Sequence, residues 1–212
     1  MGAFSTGRFA KGLLAVAATF VAAVLAVGAP NARADEYQPG YPKLGQDSEL
    51  VYGHDLYRDG ALGTQLLTVH TDDRGGRILA YCIELDVHSN WGGELQQTDF
   101  SAFPGSNEFA KTPQVRSKVS WIIHRSYPQT GVAQVAAAAG VPGLTEREAI
   151  TATQAAIWHF TNDFNYTGLN GADEATGKRV EALYKYLTGD KNVGLKETDK
   201  PTVEIKGENG TF

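Results

Sequence analysis

The stretch Thr153-Gln154-Ala155-Ala156-Ile157-Trp158-His159-Phe160 decides how the rest of the chain is read. Thr145 followed by Glu148 is a capping box, so a helix is expected from there through Trp158 to about Phe160. At about 100° per residue, Ile150, Gln154, Ile157, Trp158 and Thr161 fall on one side of it. Gln154 therefore lies inside the apolar stripe. A buried carboxamide there costs roughly 1–3 kcal/mol if its hydrogen bonds go unmade. Two kinds of compensation are open: a structural hydrogen bond to a neighbouring backbone group, or a covalent bond.

Far upstream, Tyr81-Cys82-Ile83 holds the single cysteine of the chain. Residues 64–70 and 77–85 read as the two arms of a hairpin around the turn Thr71-Asp72-Asp73-Arg74-Gly75-Gly76. On the second arm Ile78, Ala80 and Cys82 point one way, and Leu79, Tyr81, Ile83 and Leu85 the other. Cys82 thus projects from a strand with apolar residues on both faces.

The N-terminus sets the compartment. Arg8 and Lys11 precede an apolar run over residues 13–27, and Ala32-Arg33-Ala34 is a cleavage site, so residues 1–34 read as a secretory signal peptide. The run is shorter than the ~20 residues of a membrane span and ends in Gly-Ala-Pro, so it is not read as an anchor. The mature chain of about 180 residues is enough for one domain with a substantial core. The whole chain carries net −5, and losing three basic residues with the leader makes it −8. Such a surface is a poor match for nucleic acid or anionic lipid. One cysteine allows no internal disulfide, and the five histidines are too scattered to suggest a metal site. An unpaired cysteine in an exported protein is an intermolecular disulfide, a nucleophile, an inert buried thiol or a thioester.

The two motifs together, Tyr81-Cys82-Ile83 and Thr153-Gln154-x-Ala156 followed by Ile157-Trp158, resemble those of the thioester domains of Gram-positive surface adhesins. The resemblance implies an internal thioester between Cys82 and Gln154 and covalent adhesion by acyl transfer to an amine, a lysine on the target. It implies an isopeptide link as product, single turnover instead of catalysis, and no cofactor. Tyr81, Ile157, Trp158 and His159 are then expected around the bond. His159 is the base nearest in sequence, with His124 as a second. In this family the domain is followed by immunoglobulin-like stalk modules on the cell wall, so residues 35–200 are expected to be the thioester domain. Residues 201–212 would be the first strands of a truncated stalk module or a C-terminal strand.

The remaining elements complete an α+β layout. Residues 50–57 read as a strand, and residues 86–111 as a long irregular loop carrying His88 and Trp91. Helices are expected after Thr112-Pro113, over residues 132–139 up to Gly140, at Gln154, and from Asp173 to Gly189. The expected architecture is a sandwich- or barrel-like sheet region, then about four helices, with the thioester at their junction. Two other functions stay open on the residues alone. One is a non-covalent surface-binding module with an inert Cys82 and a structural Gln154. The other is a secreted cysteine hydrolase or transglutaminase with Cys82 as nucleophile, which would leave Gln154 without a role.

Overall fold

A computed structural model describes residues 24–26, 40–95, 103 and 105–195. Strands come first and helices after, a mixed α+β order. The strands are β1 (Val24–Ala26), β2 (Lys43–Leu44), β3 (Val51–Tyr52), β4 (Leu56–Tyr57), β5 (Ala61–Leu62), β6 (Gln65–His70) and β7 (Arg77–Cys82). The helices are α1 (Glu108–Lys111), α2 (Pro113–Arg125), α3 (Val132–Ala139), α4 (Glu146–Asn162) and α5 (Glu174–Thr188).

One open antiparallel sheet runs in the order β1-β7-β6-β2, with β3 also paired to β6, and β4 and β5 form a separate ribbon. The β6–β7 hairpin forms around residues 71–76, where the Asp72 carboxylate accepts from the Arg74 and Gly76 amides, but its second arm ends at Cys82 and not at Leu85, because the chain bends at Ile83. β1 lies within the segment read as a leader and pairs antiparallel with β7, Val24 opposite Cys82. Residues 201–212 lie outside the described residues.

The alternation read along β7 has its packing counterpart. Tyr81 and Ile83, with Leu79 and Leu85 beside them, join the large core made with the helices. Ala80 joins a smaller cluster with Leu44, Leu67 and Val69, and Ile78 packs against it. Cys82 touches both clusters.

Helix α4 is more central than an amphipathic stripe implies. Its Thr145 capping box forms, but 12 of its 17 residues are buried, including Ala152, Thr153, Ala155 and Ala156 away from the expected stripe. Small side chains let α2 and α5 close on α4 from other sides, which makes it a core helix. Asp163 ends it at φ 54°, a left-handed conformation that Asp tolerates better than most residues.

Two expectations are corrected. Residues 50–57 are not one strand: β3 stops at Tyr52 and β4 begins at Leu56. Between them the main chain turns to α4. The Gly53 carbonyl accepts from Arg147 Nε at 3.0 Å, and the His54 amide donates to Thr151 Oγ1 at 2.7 Å. These bonds hold the segment against the helix, while the Gly53 amide still donates to the Thr64 carbonyl at 2.7 Å. The second correction is α1, which interrupts the expected loop over residues 86–111. Its four residues, capped by the Asn107 side chain, are too few to show a helical period in sequence.

Gly53 is required at the first of these places. A Cβ there would run into Thr64 Oγ1 and come within 2.7 Å of Thr151 Oγ1, both short side chains already engaged. Gly53→Ala is expected to destabilise the fold by about 1–3 kcal/mol, measured as a lower urea midpoint with unchanged slope.

Candidate functional site

The β6–β7 ladder ends at the pair Leu67–Ala80, two residues before Cys82. Beyond that pair, where β6 no longer runs beside it, the main chain of Cys82 bonds to a side chain. Its amide donates to Gln154 Oε1 at 3.1 Å, and its carbonyl accepts from Gln154 Nε2 at 2.8 Å. The carboxamide thus pairs with Cys82 as the backbone of a neighbouring strand would. Gln154 is 1% exposed, so these two bonds satisfy the group that the sequence left unexplained.

Cys82 is half-buried and its Sγ donates to the Glu84 carbonyl at 2.9 Å. Burial pushes the thiol up to about 11, and the nearby Glu84 carboxylate pushes the same way. A thiol so placed is protonated at neutral pH and reacts only when a base removes its proton.

The expected surroundings are there in part. Tyr81 is fully buried, and its hydroxyl donates to the Tyr127 carbonyl at 2.6 Å. Ile157 and Trp158 are buried one turn beyond Gln154, with the Trp158 ring edge-on to Phe164 at 6.4 Å. Trp158 Nε1 is buried and has no hydrogen-bond partner among the described residues. His159 engages other groups: its Nδ1 lies 3.0 Å from the Phe164 carbonyl oxygen and 2.9 Å from Tyr184 Oη. His124 is exposed at the end of α2 with Nδ1 on the Ser120 carbonyl, and His88 and Trp91 are exposed as well. The structure therefore brings Cys82 and Gln154 together, and gives the histidines partners elsewhere or exposes them.

This Cys–Gln pair lies inside the segment that known proteins share. Residues 79–193 match the family model described as a thioester domain. The chain belongs to that family. Among solved structures it is similar to the N-terminal domain of the Streptococcus pyogenes pilus tip adhesin Cpa, at 19% identity and a TM-score of 0.45, covering 74% of this chain and 81% of that one. It is also similar to the N-terminal thioester domain of the fibronectin-binding protein SfbI from Streptococcus pyogenes. That match has 17% identity and a TM-score of 0.44, covering 78% of this chain and 86% of the other. No curated protein matches the chain.

Sequence reasoning passed over two residues of this thioester domain. The chain bends after Cys82, and Asn107 Nδ2 holds the bend by donating to the Ile83 carbonyl at 3.1 Å while its Oδ1 caps α1. Burial and the Asp86 charge hold the Glu84 carboxyl above the usual carboxylate range, and the nearby Asn107 amide opposes them. The sequence signal was within reach: Glu84 is a lone carboxylate between apolar Ile83 and Leu85, two residues past the cysteine.

Proposed function

We propose that this thioester domain is exported, forms a thioester between Cys82 and Gln154, and uses it once to attach covalently to an amine on a target protein surface. The observation that carries this reading is the seating of the Gln154 carboxamide on the Cys82 main chain by two hydrogen bonds.

In the forming step Cys82 Sγ attacks Gln154 Cδ, the C–N bond breaks and ammonia leaves. An amide is a poor electrophile, so fixed placement must supply much of the rate; intramolecular positioning can contribute roughly 7–11 kcal/mol of barrier. The Cys82 amide donates to Gln154 Oε1, the oxygen on which negative charge develops in the tetrahedral intermediate. One such donor is commonly worth about 3–4 kcal/mol.

In the second step an amine nitrogen attacks Gln154 Cδ and the C–S bond breaks. The products are an isopeptide bond to a target lysine and a free Cys82. The domain is consumed, so there is no turnover. The leader at residues 1–34 and the acidic mature surface support an extracellular site of action. Among the described residues no helix is long and apolar enough to cross a membrane.

Intact mass of the purified chain beside Cys82→Ala and Gln154→Ala tests this. Only the wild type is expected to be lighter than its sequence by one ammonia, and to gain a methylamine adduct at Gln154. A wild type of full calculated mass, with an intact Gln154 amide and a Cys82 that alkylates in the native state, excludes the stored bond. Catalytic turnover of a substrate would move the reading to a cysteine hydrolase or transglutaminase. Neither adduct nor turnover leaves a non-covalent binding module.

A further inference from the structure

β7 has two edges, and they are used differently. On one edge β6 pairs with it as far as Ala80, and beyond that point the Gln154 carboxamide takes both the amide and the carbonyl of Cys82. Along a strand, successive residues turn these groups to opposite edges, so those of Tyr81 point the other way. There the neighbour is β1, antiparallel, with Val24 opposite Cys82, Leu25 opposite Tyr81 and Ala26 opposite Ala80. The position opposite Tyr81 is therefore hydrogen-bonded. The position opposite Cys82 belongs to a non-hydrogen-bonded pair, in which facing residues approach most closely.

β1 lies in the segment read as a leader. Export as proposed above removes it, and among the described residues no other strand pairs with this edge. The mature chain is left with the Tyr81 amide and carbonyl open next to the cysteine. Such an edge is a template for an added strand.

From this register we infer that the free edge of β7 is where the target docks. An extended segment of the target protein adds antiparallel along Ala80–Cys82, in the place β1 holds here, with its reactive lysine opposite Cys82. The inference rests on the reading above and specifies the form in which the target presents its amine. Side chains of a facing pair share one face of the sheet, with Cβ atoms about 4.5–5.5 Å apart, so this lysine stands beside Cys82. Gln154 occupies the strand position on the far edge of β7. One strand spacing is about 4.8 Å, a width that the four-carbon stem of lysine spans. The next target residue, opposite Tyr81, exchanges both main-chain bonds with it. Those bonds set the register without a dedicated side-chain pocket, and they hold the amine near the bond it attacks. Charge favours the same occupant: the chain is acidic overall and becomes more so without its basic leader, which attracts a lysine-bearing strand.

The test uses the exported chain and two short peptides of alternating Val and Thr around one lysine, acetylated so that the side chain is the only amine. One peptide carries an N-methyl group on the amide of the residue after the lysine. This removes the donor that would face the Tyr81 carbonyl and leaves the amine untouched. Coupling is followed by intact mass, with methylamine as a probe of the thioester alone. The unmodified peptide is expected to couple at least about 10-fold faster than the methylated one. In the unprocessed chain, whose edge β1 fills, the two peptides should couple at the same rate. Hydrogen exchange of the Tyr81 amide should be fast in the free exported chain and slow in its peptide adduct. Equal coupling of the two peptides by an exported chain that takes up methylamine overturns the docking edge and leaves the thioester reading standing. A Tyr81 amide already protected in the free exported chain means that another segment of this chain fills the edge, and overturns it too. A chain that takes up no methylamine sinks the thioester reading and the docking edge with it.

Discussion

Arg179→Ala is expected to destabilise the fold at neutral pH, because it leaves a buried carboxylate without its guanidinium partner. Glu148 is 1% exposed at the start of α4, and Arg179 of α5 donates to it through Nε at 3.0 Å and Nη2 at 2.6 Å. The Thr145 amide adds a bond at 2.8 Å. Burial pushes the Glu148 carboxyl up, but Arg179 and Thr145 together outweigh it and hold it below its ordinary value. A carboxyl lowered on folding contributes stability above its unfolded pKa, and that contribution is lost as pH falls through the folded one. Wild type is therefore expected to weaken on acidification below about pH 4.5, the unperturbed value for this group. Arg179→Ala reverses the sign at Glu148. The carboxylate is left buried with only its Thr145 bond, and protonation relieves it. The deficit measured by urea unfolding should be largest near neutrality and shrink toward acid. A deficit under about 1 kcal/mol at neutral pH would show that water or a neighbour replaces the guanidinium.

Gln154→Glu, made in a Cys82→Ala background so that no cross-link complicates the comparison, is expected to cost about 3 kcal/mol. That corresponds to a fall of about 6–12 °C in Tm for a domain of this size. The carboxamide offers the Cys82 main chain one donor and one acceptor, and it uses both. A carboxylate offers acceptors only, so one of its oxygens would face the Cys82 carbonyl oxygen in a site that is 1% exposed. Protonation restores a donor, so the deficit should narrow as pH falls. Equal melting of the two proteins at neutral pH would mean that the pairing is not held as described. In the proposed chemistry, hydrolysis of the thioester converts Gln154 to the same carboxylate. The spent domain should then be less stable than the uncrosslinked form that keeps its amide.

Several features were legible from local pattern because local physics sets them. The Thr145–Glu148 capping box places the start of α4, and Asp173 caps α5 through the Thr176 amide. Alternation along β7 sorts Tyr81 from Ala80 because one strand separates two apolar clusters. A carboxamide in an apolar stripe demands partners wherever it lies. That demand, together with the single cysteine upstream, singles out Gln154 and Cys82 from the residues alone.

Other features depend on contacts between residues far apart in the chain. Local pattern sets neither where β6 stops pairing with β7 nor that Gln154, 72 residues on, fills the position beyond that point. The break at Gly53 depends on Arg147 and Thr151 of α4, and the all-round burial of α4 depends on how α2 and α5 close on it. The surroundings of His159 and of the Cys82 sulfur are set in the same way. His159 lies little more than one turn from Gln154 along the helix, but the chain reversal at Asp163 brings Phe164 to its ring, and Tyr184 of α5 meets it from the other side. Glu84 reads as an ordinary loop residue, and only the bend at Ile83, held by Asn107, lays its main-chain carbonyl on the sulfur. The sequence by itself determined which residue types carry the chemistry and which local elements bear them. The tertiary structure decided which of those side chains meet, because packing between distant segments sets the direction in which each one points.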